Sequence, residues 1–421
     1  MSESKNNYTL TRIACSAASF IQSAVIMLVP LLFVSIKETV GLDYSSFASL
    51  LSISFVVQLA SDLIFSKAAD KYGFKPFTML ANILICVGFI GFALSPEIFE
   101  KPYIGFVIFT IIFSVGGGLI EVLTSPLTDN LPASSKSGSM AILHSMYAWG
   151  QMFIILTTAL FIHFAGTSRW QYIMLLWTIP PIINFFLFMF SKMPYIPPES
   201  KSQGMREVML KPVFILCFLI MFFGAGAENT MVQWSSAFME RVMTLPKLLG
   251  DSLGVCAFAL LLGLGRLAHG ILGNKINLPK FMLFCSVLGV FCYAAVAFSS
   301  VPAVSLTACG LTGLAASMLW PGTLVVASES YPKAGAWLFA ILALGGDFGA
   351  AVCPKITGYF SNNAHNMAFL AGIGEKYALT AEELGLRSGM AVAALYPLLT
   401  ALFLFMFIRL VKSRKKEGKP L

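Results

Sequence analysis

The sequence predicts an all-α membrane protein, twelve transmembrane helices in two pseudo-symmetric six-helix bundles, and three observations carry that expectation. Of 421 residues, 57% are hydrophobic and 11% charged, with a mean hydropathy of +0.81. That is a ratio of about five to one where soluble chains show about two. Apolar runs of roughly 20 residues, the length that crosses a bilayer as a helix, recur along the chain at twelve places. A polar, proline-rich stretch, KMPYIPPESKSQGMREVMLK at 192–211, divides them six and six. The expected organisation is therefore an N-terminal bundle over 1–191, a cytoplasmic linker over 192–211, and a C-terminal bundle with a basic tail over 212–421.

The runs fall at about 10–34, 45–66, 77–95, 103–129, 139–164, 170–191, 212–239, 249–272, 279–299, 302–327, 335–359 and 388–410. The N-terminus, MSESKNNYTLTR, has no signal-peptide pattern, so the first run is expected to stay as a span. With the N-terminus inside, about 20 of the 28 Lys and Arg lie on the cytoplasmic side and about seven outside. This bias places both termini in the cytoplasm of a cell whose inner membrane holds the chain. The net charge of +8 is thus topological and not the footprint of a nucleic-acid binder, because the basic residues sit in short loops between apolar runs. Eight cysteines all lie within apolar runs without a CxxC pair or metal-ligand spacing, and are expected to be free thiols. No metal and no cofactor is expected.

Charged groups inside spans are costly and therefore functional candidates. In the fourth span Glu121 lies between the glycines 116–118 and Ser125-Pro126, the composition of a helix that packs closely and lines a cavity. The fifth span carries His144, Tyr147 and Gln151 at i, i+3 and i+7, one polar face in an apolar run, with His144 at the depth of Glu121. This suits a carboxyl group that takes and releases a proton, His144 as its hydrogen-bonding partner, and a polar face for a hydroxylated solute. The seventh span, FFGAGAENTMVQWSSAF, sets Glu228, Asn229, Gln233 and Trp234 after a run of small residues, an amide-and-indole group fit for a sugar. Near the cytoplasmic ends of their spans, Asp62, Arg266, His269 and Glu329 are read as structural, snorkelling outward or pairing with loop charges. In the tenth, Trp320-Pro321-Gly322 marks a helix break with Trp320 a candidate solute contact, and in the eleventh Asp347, flanked by glycines, is a second coupling candidate. The outer loop at 361–387 contains AEELG, which suits a short surface helix.

Two segments also resemble a known family. Ser66-x-x-x-Asp70-Lys71-x-Gly73-Phe74-Lys75, after the second span, resembles the loop signature of the major facilitator superfamily, and GGGLIEVLTSP at 116–126 is similar to its fucose permease-like sugar–proton symporter branch. The fifth-span Leu143-His144-Ser145-Met146-Tyr147-Ala148-Trp149-Gly150 resembles a broader bacterial set. The resemblance implies the major facilitator fold, a gate role for Asp70, Lys71, Gly73 and Lys75, and a substrate or proton carboxylate at Glu121. Where the fucose permease has an additional first-span acid, this chain offers Gln22 as its one sizeable polar side chain, and Ser125 stands where the family has Asn.

Together these readings describe a non-enzymatic secondary transporter importing a neutral hydrophilic solute, most simply a sugar, with protons. The alternatives are a proton-coupled exporter of amphipathic compounds and a sodium-coupled symporter. No GxxxxGK[ST] loop is present for ATP coupling, and the four His residues are too scattered for a catalytic cluster.

Overall fold

The computed structural model describes residues 8–42, 44–133, 135–194, 205–245, 254, 256–272, 275–335 and 337–416; the side chains of some helical residues, Asp62, Ser66 and Asp70 among them, lie outside the description. The described chain is helical throughout. It forms two compact units, Met1–Gln203 with Lys333–Ala340 and Gly204–Pro332 with Ile341–Leu421. Among the described residues ten helices are long and apolar enough to cross a membrane, and two shorter apolar stretches, Ser49–Ser61 and Cys256–Leu272, take the places of the second and eighth runs.

The first unit holds α1 (Thr9–Val40), α2 (Tyr44–Tyr72), α3 (Phe74–Ile98), α4 (Pro102–Asp129), α5 (Lys136–Ala165), α6 (Trp170–Leu176) and α7 (Ile179–Phe190). Helix α1 outlasts its apolar run by several residues. Lys37, Glu38 and Thr39 keep the helix going until Gly41, in the left-handed region at φ 76°, closes it with its N–H on the Lys37 carbonyl. Helices α3 and α4 pack closely around buried aromatics, with the Phe92 and Phe106 rings 4.5 Å apart. Trp170 at the start of α6 is fully buried and donates its indole N–H to Thr39 Oγ1 at 2.9 Å, tying α6 to the end of α1. On its other side α3 exposes Leu80, Ile83, Val87 and Ile90 at helical spacing. An apolar stripe opposite a packed face is what a helix shows to lipid.

The second unit holds α8 (Met205–Met209), α9 (Pro212–Arg241), α10 (Cys256–Leu272), α11 (Leu278–Phe298), α12 (Pro302–Ala316), α13 (Leu319–Ser330), α14 (Trp337–Asn363, its first turn grouped with the first unit), α15 (Ala368–Tyr377), α16 (Ala381–Ala393) and α17 (Leu395–Lys416). Buried hydroxyls stitch it together: Tyr293 donates to the Ala227 carbonyl at 2.6 Å and Tyr396 to the Cys353 carbonyl at 2.8 Å. The AEELG stretch is the start of a span rather than a separate surface helix. Thr380 caps α16 by accepting from the Glu383 N–H, Glu382 and Glu383 occupy the first turn, and the helix runs on to Ala393. The short surface helix of this loop is instead α15.

Among the described residues three spans are in two pieces. The sixth breaks at Trp177–Thr178 ahead of Pro180 and Pro181, and the twelfth at Ala394 ahead of Pro397, so corresponding spans of the two sets of six break alike. The tenth breaks at Ser317–Met318, ahead of Pro321. A proline has no N–H to give the carbonyl four residues before it, which here is that of Ser317.

Candidate functional site

In the first unit a polar chain runs through three helices. Gln22 of α1 donates from Nε2 to Gln58 Oε1 at 3.0 Å and to Glu121 Oε2 of α4 at 3.4 Å. Gln58 of α2 donates to Ser54 Oγ at 3.2 Å, and Ser54 and Ser114 hydroxyls lie 2.8 Å apart. Both glutamines are buried, Gln22 at 6% and Gln58 at 9% exposure. Because Nε2 of Gln22 stands between two acceptors, its amide has one sensible orientation, which leaves Oε1 buried with no hydrogen-bond partner. Gly117 makes room for this arrangement: a Cβ there would meet Val25 Cγ1 at 2.7 Å, Gln58 Oε1 at 3.1 Å and Gln22 Oε1 at 3.3 Å. Among the described residues no ion pair engages Glu121.

His144 Nε2 lies 3.4 Å from Ser125 Oγ, one turn beyond Glu121 on α4, and Gln22 donates to the carboxylate. On the same face of α5, Gln151 donates to the Tyr147 hydroxyl at 3.2 Å, and His144, Tyr147 and Gln151 are all half-buried. Gln58 is the residue that reading the sequence passed over. Ser54, Gln58 and Ser61 sit on one side of the second span, and that spacing was a usable sign.

In the second unit Glu228 is tied to Arg266. Arg266 Nη2 lies 3.3 and 3.4 Å from the two carboxylate oxygens, and its Nε donates to the Ser317 carbonyl at 3.0 Å, the one Pro321 leaves without a helical donor. Arg266 and His269 therefore do not snorkel. Both are buried, with His269 stacked on Phe281, because the face of α10 that carries them turns inward. Position along a span gives depth but not the direction in which a side chain points. Asn229 donates to the Ala225 carbonyl of its own helix at 3.1 Å, and Gln233 is exposed. Trp234 donates to the Pro354 carbonyl at 3.2 Å and lines a cavity of about 450 Å³ with Arg241, Ser361, Asn362 and His365. Trp320 packs against Gly346, beside the half-buried Asp347.

The motif between α2 and α3 is a tight turn. Gly73 has φ 88° and ψ 159°, a region glycine alone adopts without strain, and its N–H closes on the Ala69 carbonyl. Lys75 donates to the Ser191 carbonyl at 3.0 Å and Lys71 is exposed over the Tyr72 ring. Gly73 and Lys75 line a cavity of about 670 Å³ with Tyr8, Phe74 and Lys192. The Asp70 side chain lies outside the described residues.

Comparison with known proteins agrees with this architecture. The chain is 22% identical over 342 residues to the inner membrane transport protein YdiN of Escherichia coli K12, covering 78% of each. Its structure is similar to the fucose:proton symporter FucP of Escherichia coli, with TM-score 0.75, 12% identity and coverage of 95% of this chain and 99% of that one. It is also similar to the proton:xylose symporter XylE, with TM-score 0.75, 13% identity and coverage of 96% of both chains. These two likenesses establish the fold. The family model of the Major Facilitator Superfamily matches residues 14–354. This multi-pass membrane protein, with its twelve-helix fold of two six-helix halves, belongs to the Major Facilitator Superfamily of transporters.

Proposed function

We propose that the chain imports a hydroxylated solute of the sugar class by proton symport, with Glu121 as the proton carrier. The observation that carries this reading is the carboxyl group of Glu121, in no ion pair among the described residues and set in a network of amides and hydroxyls inside the first unit. A half-buried carboxyl group inside a span is where an arriving cation balances the charge, and the acceptor and donor groups beside it suit solute hydroxyls. His144, Tyr147 and Gln151 extend that polar lining on α5, and Gln22 fills the place of the first-span acid of the fucose permeases. Glu228, Asn229, Gln233, Trp234 and Trp320 are proposed as the second half's solute contacts and Asp347 as a second coupling residue. The N-terminal bundle 1–191, the cytoplasmic linker 192–211 and the C-terminal bundle 212–421 are proposed to work by alternating access, with Asp70, Lys71, Gly73 and Lys75 at the gate. The Lys and Arg bias supports an inner-membrane orientation with both termini in the cytoplasm.

The test is uptake against exchange. Glu121→Gln should abolish uphill uptake of labelled sugar while leaving exchange of labelled for unlabelled solute. Loss of both, or of neither, counts against the role. Repeating wild-type uptake with a sodium gradient separates proton from sodium coupling, since the amide oxygens of Gln22 and Gln58 near Glu121 are sodium-type ligands as well.

A further inference from the structure

Gly117 leaves a notch in the surface of α4, and three side chains converge on it. A Cβ placed there would meet Gln58 Oε1 at 3.1 Å and Gln22 Oε1 at 3.3 Å, so both amide oxygens border one spot. Glu121 stands one turn further along α4 on the same face. Helical side chains lean back toward the N-terminus, which carries this one over the turn that holds Gly117. From there its Oε2 lies 3.4 Å from Gln22 Nε2. Two amide oxygens and a carboxylate therefore surround the notch.

The hydrogen bonds fix which atoms face it. Gln58 Nε2 is taken by Ser54, at 3.2 Å to the hydroxyl and 3.4 Å to the carbonyl, and this keeps Oε1 toward Gln22. Gln22 Nε2 serves Gln58 and Glu121, which leaves its own Oε1 buried without a hydrogen-bond partner among the described residues. A buried acceptor left open is costly and is a mark of an ion or water site. Water answers it poorly, because one molecule has fewer hydrogens to give than the notch has acceptors, whereas a cation is attracted by all of them at once. A proton needs a single oxygen. Several converging carboxylate and amide oxygens are the ligands of a hard metal ion. This set carries the charge of one carboxylate, which one monovalent ion cancels. The notch is also small, since the same Cβ would meet Val25 Cγ1 at 2.7 Å, and that favours sodium over potassium or an organic ammonium.

We infer that Gln22, Gln58 and Glu121 form a sodium site: Na+ sits in the Gly117 notch against Gln22 Oε1, Gln58 Oε1 and the Glu121 carboxylate, and water or a solute hydroxyl completes its shell. This rests on the reading of Glu121 as the residue that carries the coupling ion, and it gives that carboxyl group sodium as well as the proton. A shell that the solute completes ties the binding of ion and solute together.

The experiment is binding of radioactive sodium to the purified full-length protein, at constant pH with choline chloride holding the ionic strength, alongside the thermal unfolding midpoint. Sodium should bind saturably and raise the midpoint, and potassium should do neither. Glu121→Gln and Gln22→Leu should abolish the binding. Ser54→Ala frees the Gln58 amide to turn and should weaken binding about tenfold. Glu38→Gln, which alters an exposed acid on α1, should leave it intact. The wild-type protein alone decides whether sodium binds, so the test stands even where a variant fails to fold. No saturable sodium binding, an equal effect of potassium or choline, or full binding by Glu121→Gln or Gln22→Leu would each overturn the site. The proton reading is separable from it. Loss of uphill uptake in Glu121→Gln with no sodium binding to the wild type upholds the proton and sinks this site, whereas sodium binding with intact uphill uptake in Glu121→Gln does the reverse.

Discussion

Replacing Gly117 by alanine separates folding from function in the first unit. The added Cβ would meet Val25 Cγ1 at 2.7 Å, Gln58 Oε1 at 3.1 Å and Gln22 Oε1 at 3.3 Å, all of them side-chain atoms that can yield. Two terms oppose each other. Alanine in a helix interior gains about 1 kcal/mol over glycine, and overpacking costs about 1–3 kcal/mol. The net is a loss of about 0–2 kcal/mol, small because the neighbours move. What moves, however, is the amide that meets Glu121. A hydrogen bond to a charged group is worth about 1.5–3 kcal/mol, and at 3.4 Å this one belongs at the lower end. Losing it corresponds to about a tenfold drop in apparent solute affinity or uptake. Gly116→Ala is the control: its Cβ would meet the Ala81 backbone carbonyl and Ile85 Cγ1, both at 2.7 Å, and a backbone carbonyl in a packed helix does not yield. Reversible denaturation in mixed micelles, followed by loss of helical circular dichroism, should rank Gly116→Ala clearly below Gly117→Ala, with uptake ranking Gly117→Ala well below its stability. Equal stability of the two variants, or wild-type uptake by Gly117→Ala, would refute the reasoning.

The second unit offers a matching test of charge burial. Glu228→Leu alone should destabilise by about 3–5 kcal/mol, because it removes the carboxylate to which the buried guanidinium is tied, whereas adding Arg266→Met should recover most of that loss in the same denaturation assay. Gly73→Ala places a side chain at φ 88° and should cost about 1–3 kcal/mol with no new steric contact, seen as lower yield of folded protein at unchanged helix content. Pro321→Ala gives the Ser317 carbonyl a helical N–H, so the new amide at residue 321 should exchange slowly as α12 and α13 join and share that carbonyl with Arg266.

Much of the fold was legible because a bilayer imposes one length and one polarity on every span. The apolar runs therefore marked the helices, and the helix ends moved only where polar residues extend them, as Lys37–Thr39 do for α1. AEELG was misplaced for a related reason: its acids suit a solvated surface, yet they also suit the first turn of a long helix, and Thr380 decides for the latter. The candidate site was legible as residue types and depth. Glu121, Gln22 and Glu228 stand out as polar groups in apolar runs, whereas the partner each one meets depends on how helices are rotated against one another. That rotation turns Arg266 toward Glu228 instead of the surface and brings Gln22 to Glu121. Neither outcome is written in the spacing along a single helix.

The eight thiols give the molecule an unplanned set of optical and mass tags. No cysteine is in a disulfide; Cys15 and Cys86 lie in the first unit, and Cys217, Cys256, Cys285, Cys292, Cys309 and Cys353 in the second. All but Cys86 and Cys256 are buried, so a fluorogenic maleimide that ignores the folded protein reacts as packing is lost. Since the labels divide two against six, the mass of each labelled species records which half came apart first, and the native chain becomes a clock for its own unfolding.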